Sequence, residues 1–297
     1  MSGLWVLAAL LGSVGQVARN AMQSSLTRQI GTVGATQVRF LFGLPFATLF
    51  LVLVTLATKE AIPVPNLTSL GFTFAGALAQ IAATGLMLVV MKSQSFAVTT
   101  AWLKTEPVIV ALAAALILRD PISLPVLAAI VIASAGVMLM SIKPGTAVWQ
   151  LGRPALTGLL AGGLFGASAI GFRGGIVHLD SGGFLIRATS TLALTLLIQT
   201  ATLLIWMALF NRAALRASFA VWRSSLFAGF LGAFASQFWF IGFALTSAAN
   251  VRTLALVEVI FATALSRYAF KQPVSARQIF GMAVIVVGVG LLLRLTA

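Results

Sequence analysis

Glu106-Pro107-Val108-Ile109, then Asp120-Pro121-Ile122-Ser123, then Gly136-Val137, is written a second time in this chain as Glu258-Val259-Ile260-Phe261, Gln272-Pro273-Val274-Ser275 and Gly288-Val289. The anchors share one offset, because 258 − 106, 273 − 121 and 288 − 136 each give 152. Working outward with small gaps, Arg39 corresponds to Arg187, Phe74-Ala75-Gly76 to Phe227-Ala228-Gly229, and Gly12 to Arg19 to the run from Gly166 to Arg173. Ordered similarity from end to end marks a duplicated unit, here residues 1–147 and 148–297.

The duplicated unit is apolar. Of 297 residues, 60% are hydrophobic and 8% charged, with a mean hydropathy of +1.08. Soluble domains carry about a quarter of their residues as charges, so a soluble enzyme, a nucleic-acid binder and a disordered chain are all excluded. The net charge of +14 comes from 19 Lys and Arg scattered singly, which argues against a polyanion-binding surface and predicts no nucleic-acid partner. With no cysteine and one histidine, disulfides, thiolate metal sites and a Ser-His-Asp triad are not expected, and neither a metal nor a cofactor is called for.

A membrane helix needs about 20 mostly apolar residues. Ten runs fit, at 4–17 (continuing to about 22), 33–57, 70–91, 98–118, 124–142, 156–172, 184–209, 226–245, 254–270 and 278–293. Between them, 173–183, 211–223 and 246–253 read as loops. Five spans per half is an odd number, so the second half enters the bilayer in the opposite sense to the first. The expected architecture is an all-α membrane protein of ten transmembrane helices, two inverted five-helix repeats around a central cavity. No hydrophilic block is long enough for a catalytic domain, and no phosphate loop ending in Lys-Ser or Lys-Thr is present.

Charges at membrane depth cost about 2.5 to 3.5 kcal/mol on insertion scales, so each needs a reason. Glu106 and Glu258 are repeat-equivalent and mid-span, placed to line the cavity as proton carriers or cation ligands, or else to lock helices through ion pairs. Trp102, four residues before Glu106, shares its helical face, and an aromatic beside a carboxylate suits a ligand with an apolar or aromatic body and a cationic group. Pro107 removes a helix donor and is a hinge candidate, with a bend expected near Trp102 and Leu103. Lys104 lies about 200° around the helix from Glu106 and is expected to snorkel to an interface or pair with another helix. Arg39 and Arg187 can pair with the two carboxylates, grip a substrate carboxylate, or simply snorkel to the interface. Gln80, Gln199 and Gln237 are deep amides, of which Gln80 and Gln237 are ligand candidates. Gly158, Gly162 and Gly166 form a small-residue stripe for close helix packing.

An Arg early in the second span of each half, and a Pro-x-Ser turn leading into a Gly-Val-bearing last span, make the chain resemble the drug/metabolite transporter superfamily, in its EamA-type ten-span permeases. The resemblance covers nearly the whole chain. It implies secondary transport by alternating access and a small-molecule substrate such as an amino acid moved outward, and the expectation is a monomer or homodimer in the bacterial plasma (inner) membrane. The two deep carboxylates add proton coupling to that expectation, and the lack of any nucleophile-base or metal-ligand set predicts no enzymatic activity. Where the family commonly has Gly-Glu in the short turn before the last span of each repeat, this chain has Arg119-Asp120 and Lys271-Gln272. The alternative from another class is a non-transporting membrane scaffold or sensor. Loop basics favour termini outside, whereas the resemblance implies cytoplasmic termini.

Overall fold

The computed structural model describes residues 2–93, 102–104, 106–120, 122–141, 152–268, 271 and 273–296, and every element among them is helical. In chain order these are α1 (Ser2–Leu41), α2 (Leu44–Thr58), α3 (Leu67–Ser93), α4 (Pro107–Leu118), α5 (Leu124–Ser141), α6 (Gly152–Val177), α7 (Phe184–Phe210), α8 (Arg212–Ala220), α9 (Trp222–Leu245), α10 (Ala248–Leu254), α11 (Val257–Tyr268) and α12 (Ala276–Thr296). Seven helical stretches are long and apolar enough to cross a membrane, and Pro107–Leu118 and Leu124–Met140 are shorter apolar helices.

The first of those seven stretches, Gly3–Thr58, has 56 residues, which at 1.5 Å per residue is about 84 Å and far exceeds a bilayer core. It does not run straight. Gly31 adopts φ 74°, ψ 173°, a conformation open to glycine because it lacks Cβ. Gln23 Nε2 donates to Ala35 O at 2.9 Å across this point, although twelve residues of straight helix would separate them by about 18 Å. The chain therefore doubles back at Gly31.

The first helix extends well beyond the end at about residue 22 that hydropathy suggests. Its continuation carries Gln23 and Thr27, both buried. Gln23 bonds across the turn and Thr27 Oγ1 donates to Gln23 O at 2.8 Å, so polar residues that read as a break are accommodated inside the helix. The 211–223 loop likewise holds a short helix, α8, whose Asn211 side chain accepts from Ala214 N at 3.1 Å. Helix α6 runs through Val177 into the expected 173–183 loop.

The most extensive packing joins α3 to α6, α1 to α9 and α5 to α12, followed by α2 with α7 and α7 with α9. Glycines set the closest approach. A methyl at Gly136 would lie 2.7 Å from Gly281 O and Ile285 N, and one at Gly288 would strike the backbone of Ala133. The polarity of the bundle is inverted relative to a soluble protein. Leu56, Leu116, Leu124 and Phe210 are exposed, as suits hydrocarbon, while Arg19, Arg39, Lys104, Glu106, Arg252 and Glu258 are buried.

Candidate functional site

Two helices break at corresponding places. Residues 102–103 are helical, Lys104 is in a turn, and α4 begins at Pro107 after Glu106. Proline at the first helical position loses nothing, because that N–H has no intrahelical acceptor. The backbone is thus interrupted before Pro107 instead of being bent upstream in a continuous helix. In the second half, α10 ends at Leu254, Ala255 and Leu256 form a turn, and α11 begins at Val257. Subtracting 152 from 255 and 256 gives 103 and 104, so the two interruptions are repeat-equivalent. Glu258 N and Val259 N bond three residues back, to Ala255 O at 3.0 Å and Leu256 O at 3.1 Å, tightening the chain into its second helix.

The carboxylates after these breaks are each held by a cation from the other half. Nε and Nη2 of Arg252 both donate to Glu106 Oε1. Lys104 Nζ lies 2.9 Å from Glu258 Oε2, which also accepts from Gln16 Nε2 at 3.1 Å. Trp239 Nε1 donates to Gln16 Oε1 at 3.0 Å, and its ring lies 5.9 Å from the Arg252 guanidinium carbon. Glu106, Arg252, Trp239, Gln16, Glu258 and Lys104 consequently form one connected set spanning both halves. Such buried pairs hold their geometry because breaking one strands a charge in a medium that cannot solvate it.

Lys104 does not snorkel; it is 2% exposed. Arg252 and Gln16 were absent from the sequence-derived candidates. Arg252 falls in the expected 246–253 loop, which is instead helix α10, started by Ser247 accepting from Asn250 N at 3.2 Å. A serine followed three residues later by asparagine, with Ala248, Val251, Leu254 and Ala255 on one helical face, was the available signal.

The other candidates are placed apart from the carboxylates. Arg39 is buried and its Nη1 donates to Thr84 Oγ1 at 2.8 Å, while Arg187, half-buried at the start of α7, donates through Nε to Gly182 O at 2.7 Å. Neither arginine pairs with Glu106 or Glu258. Trp102 packs on Gly158, where an added methyl would be 3.0 Å from its Cβ, whereas Glu106 faces Gly166, eight residues and about 12 Å further along α6. The break removes the helical register that puts Trp102 and Glu106 on one face. Gly162 meets Leu103 O at 3.0 Å by the same measure, so the glycine stripe receives the interrupted span. Gln199 Nε2 donates to Gln80 Oε1 at 2.9 Å, and Gln237 Nε2 to Thr189 Oγ1 at 2.7 Å, interhelical bonds of the kind deep amides make. Among the described residues no group of three or more His, Asp or Glu is arranged to hold a metal ion.

Two spaces of very different size border the ion pairs. A cavity of about 20 Å³ touches Gln16, Gln80, Trp239 and Arg252, enough for about one water. A cleft of about 300 Å³ reaches Glu106 and is otherwise lined by apolar residues and glycines, including Phe72, Ile109 and Ile170. A larger one of about 370 Å³, between α2, α7 and Ile62 to Pro65, has no ionisable lining. Of the three, the two smaller spaces border the ion-pair set.

None of the curated proteins matches the chain. A crystal structure, described only as that of a protein, is similar over 96% of this chain and 97% of its own, with a TM-score of 0.65 and 16% identity, a likeness that shows the fold alone. The EamA-like transporter family matches residues 3–142 and again residues 153–294, once in each half. An integral membrane bundle with ionisable groups gathered inside it suits a transporter of small molecules across a lipid bilayer, and by those two matches the chain belongs to the EamA-like transporter family.

Proposed function

We propose that the protein is a secondary transporter, not an enzyme, which moves a small organic metabolite outward through a bacterial plasma membrane by alternating access. The observation that carries this is the pair of reciprocal ion contacts, Glu106 with Arg252 and Glu258 with Lys104, bridging two interrupted helices at repeat-equivalent positions. Interrupted helices at a repeat interface are how membrane carriers place backbone polarity and charge around a central site. A scaffold has no comparable use for them.

Ten spans in two inverted repeats, divided at 147, form the architecture of this reading. The packing supports it. Exchange of the halves turns the α3–α6 contact into the α9–α1 contact and maps α5–α12 and α2–α7 onto themselves. Residue detail agrees, since Gly136 meets Ile285 and Gly288 meets Ala133, and both 285 − 133 and 288 − 136 give 152. A cavity of one-water size at the centre belongs to a closed stage of the cycle, and opening toward either face requires the halves to move against each other.

Reconstitution into proteoliposomes, with uptake assayed against a metabolite panel with and without a pH gradient, tests the reading. Proton coupling predicts that Glu106→Gln or Glu258→Gln abolishes gradient-driven movement while substrate exchange partly survives, because the amide resembles a protonated carboxyl. If both modes fall together with thermal stability, the pairs are structural. No uptake of any compound by the folded wild type favours the scaffold.

A further inference from the structure

The chain has only five acidic residues, and the structure describes all of them. Three lie at helix ends and in loops. Glu60 Oε2 accepts from Gly183 N, Asp120 pairs with Arg173 at 2.9 Å, and Asp180 accepts from Asn66. The two at depth, Glu106 and Glu258, are taken by Arg252 and Lys104. Neither Arg19 nor Arg39, which are 0% and 2% exposed, pairs with an acid among the described residues; Glu258, near enough to act on Arg19, is paired with Lys104.

Both are guanidinium groups, which stay charged at any physiological pH. Arg19 gives Nε and Nη2 to Asn20 Oδ1 at 3.2 and 2.7 Å, and its Nη1 is buried with no acceptor. Arg39 has the neutral Thr84 hydroxyl. Their stems converge on one glycine, for a methyl at Gly232 would sit 3.3 Å from Arg39 Cγ and 3.6 Å from Arg19 Cδ. With Lys104 and Arg252 there are, among the described residues, four buried cations to two buried carboxylates, a surplus of two positive charges. The repeat shows where the imbalance arises. Arg173, the counterpart of Arg19, has Asp120 as its acid, and the counterpart of Asp120 is the amide Gln272.

We propose that Arg19 and Arg39 form an anion-binding subsite for a carboxylate or phosphate group, which supplies the missing counter-charge. On the transporter reading above, that group belongs to the substrate, whose class is then an organic anion of one or two negative charges instead of a neutral or cationic molecule. Planar guanidinium forks suit both oxyanions. A lipid headgroup offers the same chemistry and is the other source.

The test uses the purified full-length protein in neutral detergent and its thermal unfolding midpoint. Sodium phosphate and sodium succinate should raise that midpoint saturably, by about 3 °C or more over sodium chloride of equal ionic strength, as ligands of the folded state do. Asn20→Asp places a carboxylate where Asn20 already receives Arg19, so it should raise the midpoint without added anion and erase most of the anion-dependent rise. Arg39→Gln should weaken the anion's half-saturation by about tenfold or more, and it decides the matter should Asn20→Asp not fold. In phosphatidylcholine nanodiscs, stabilisation by added phosphatidylglycerol but not by the free anions keeps the subsite and assigns it to lipid. No response to any anion, or full responses retained in both variants, overturns it. Binding is read at equilibrium, so a protein that binds anions but transports nothing would sink the transporter reading and leave the subsite standing.

Discussion

The helices interrupted before Pro107 and before Val257 are broken at the same place in the repeat but charged differently around it. Glu106 and Glu258 coincide under the offset of 152, whereas their partners do not. Lys104 corresponds to Leu256, and Arg252 to Thr100. Duplication has kept the acids and redistributed the bases. Each half consequently supplies one acid and one base, and each pair crosses to the other half. The pairs are also unequal in kind, since Arg252 puts two N–H donors on one oxygen of Glu106, while Glu258 divides one oxygen between an ammonium and the Gln16 amide.

That inequality gives the largest expected effect. Glu106→Gln strands Arg252, a cation that cannot shed its proton, at 6% exposure, and should destabilise the protein by about 3 to 5 kcal/mol. Glu258→Gln strands Lys104, whose amine can become neutral, and should cost less, about 1 to 3 kcal/mol. Melting midpoints of both variants in one detergent check the order. Equal losses would show that the chemical difference between the two pairs has no energetic weight. Adding Arg252→Gln to Glu106→Gln should recover part of the loss by removing the orphaned charge.

Much of this region was legible in the sequence because Glu is rare in apolar helices and Pro and Gly mark particular positions in them. Their repetition exposed the duplication and both carboxylates. What stayed hidden were the partners. Hydropathy treats any polar cluster as a boundary, yet Gln23, Thr27 and Arg252 sit inside helices because each finds an acceptor there, on Ala35, on Gln23 and on Glu106. Whether a polar group has a partner is a property of the packed bundle, not of the window around it. Arg39 and Arg187 illustrate the reverse error, for sequence equivalence gave them equal roles, and the structure buries one and leaves the other half-buried at a helix start.

A smaller effect probes the contact the halves share most evenly. Alanine at Gly136 meets the α12 backbone at Gly281 and Ile285, and alanine at Gly288 meets the α5 backbone at Ala133. Helices in such contact must separate to admit a methyl, so each substitution should destabilise by about 1 to 3 kcal/mol. Because the contacts exchange under the repeat, the two losses should agree within about 0.5 kcal/mol. One neutral variant beside one damaging variant, by melting midpoint, would break the symmetry at α5 and α12 while leaving the ion-pair comparison intact.

The smallest effect lies just beyond the far ends of α4 and α11. Arg119 and Lys271 have φ of 55° and 52°, the left-handed conformation, and 271 − 119 again gives 152. Arg119 caps α4, with its N–H bonded to Ala114 O. A side chain there places Cβ against the following carbonyl, at about 1 kcal/mol per residue, and the resemblance to EamA-type permeases puts glycine at this turn. Arg119 is exposed, and no ion pair or hydrogen bond of its side chain occurs among the described residues, so little is lost with it. Against the relief stands the extra freedom glycine gives the unfolded chain. Arg119→Gly and Lys271→Gly should therefore each stabilise by only about 0.5 kcal/mol, and the double variant by their sum. Asp120 must be left in place, because its contact with Arg173 would otherwise confuse the result. A gain at one turn and a loss at the other would mean that the two helices, alike in backbone at their ends, are held there by different surroundings, as they are at their breaks.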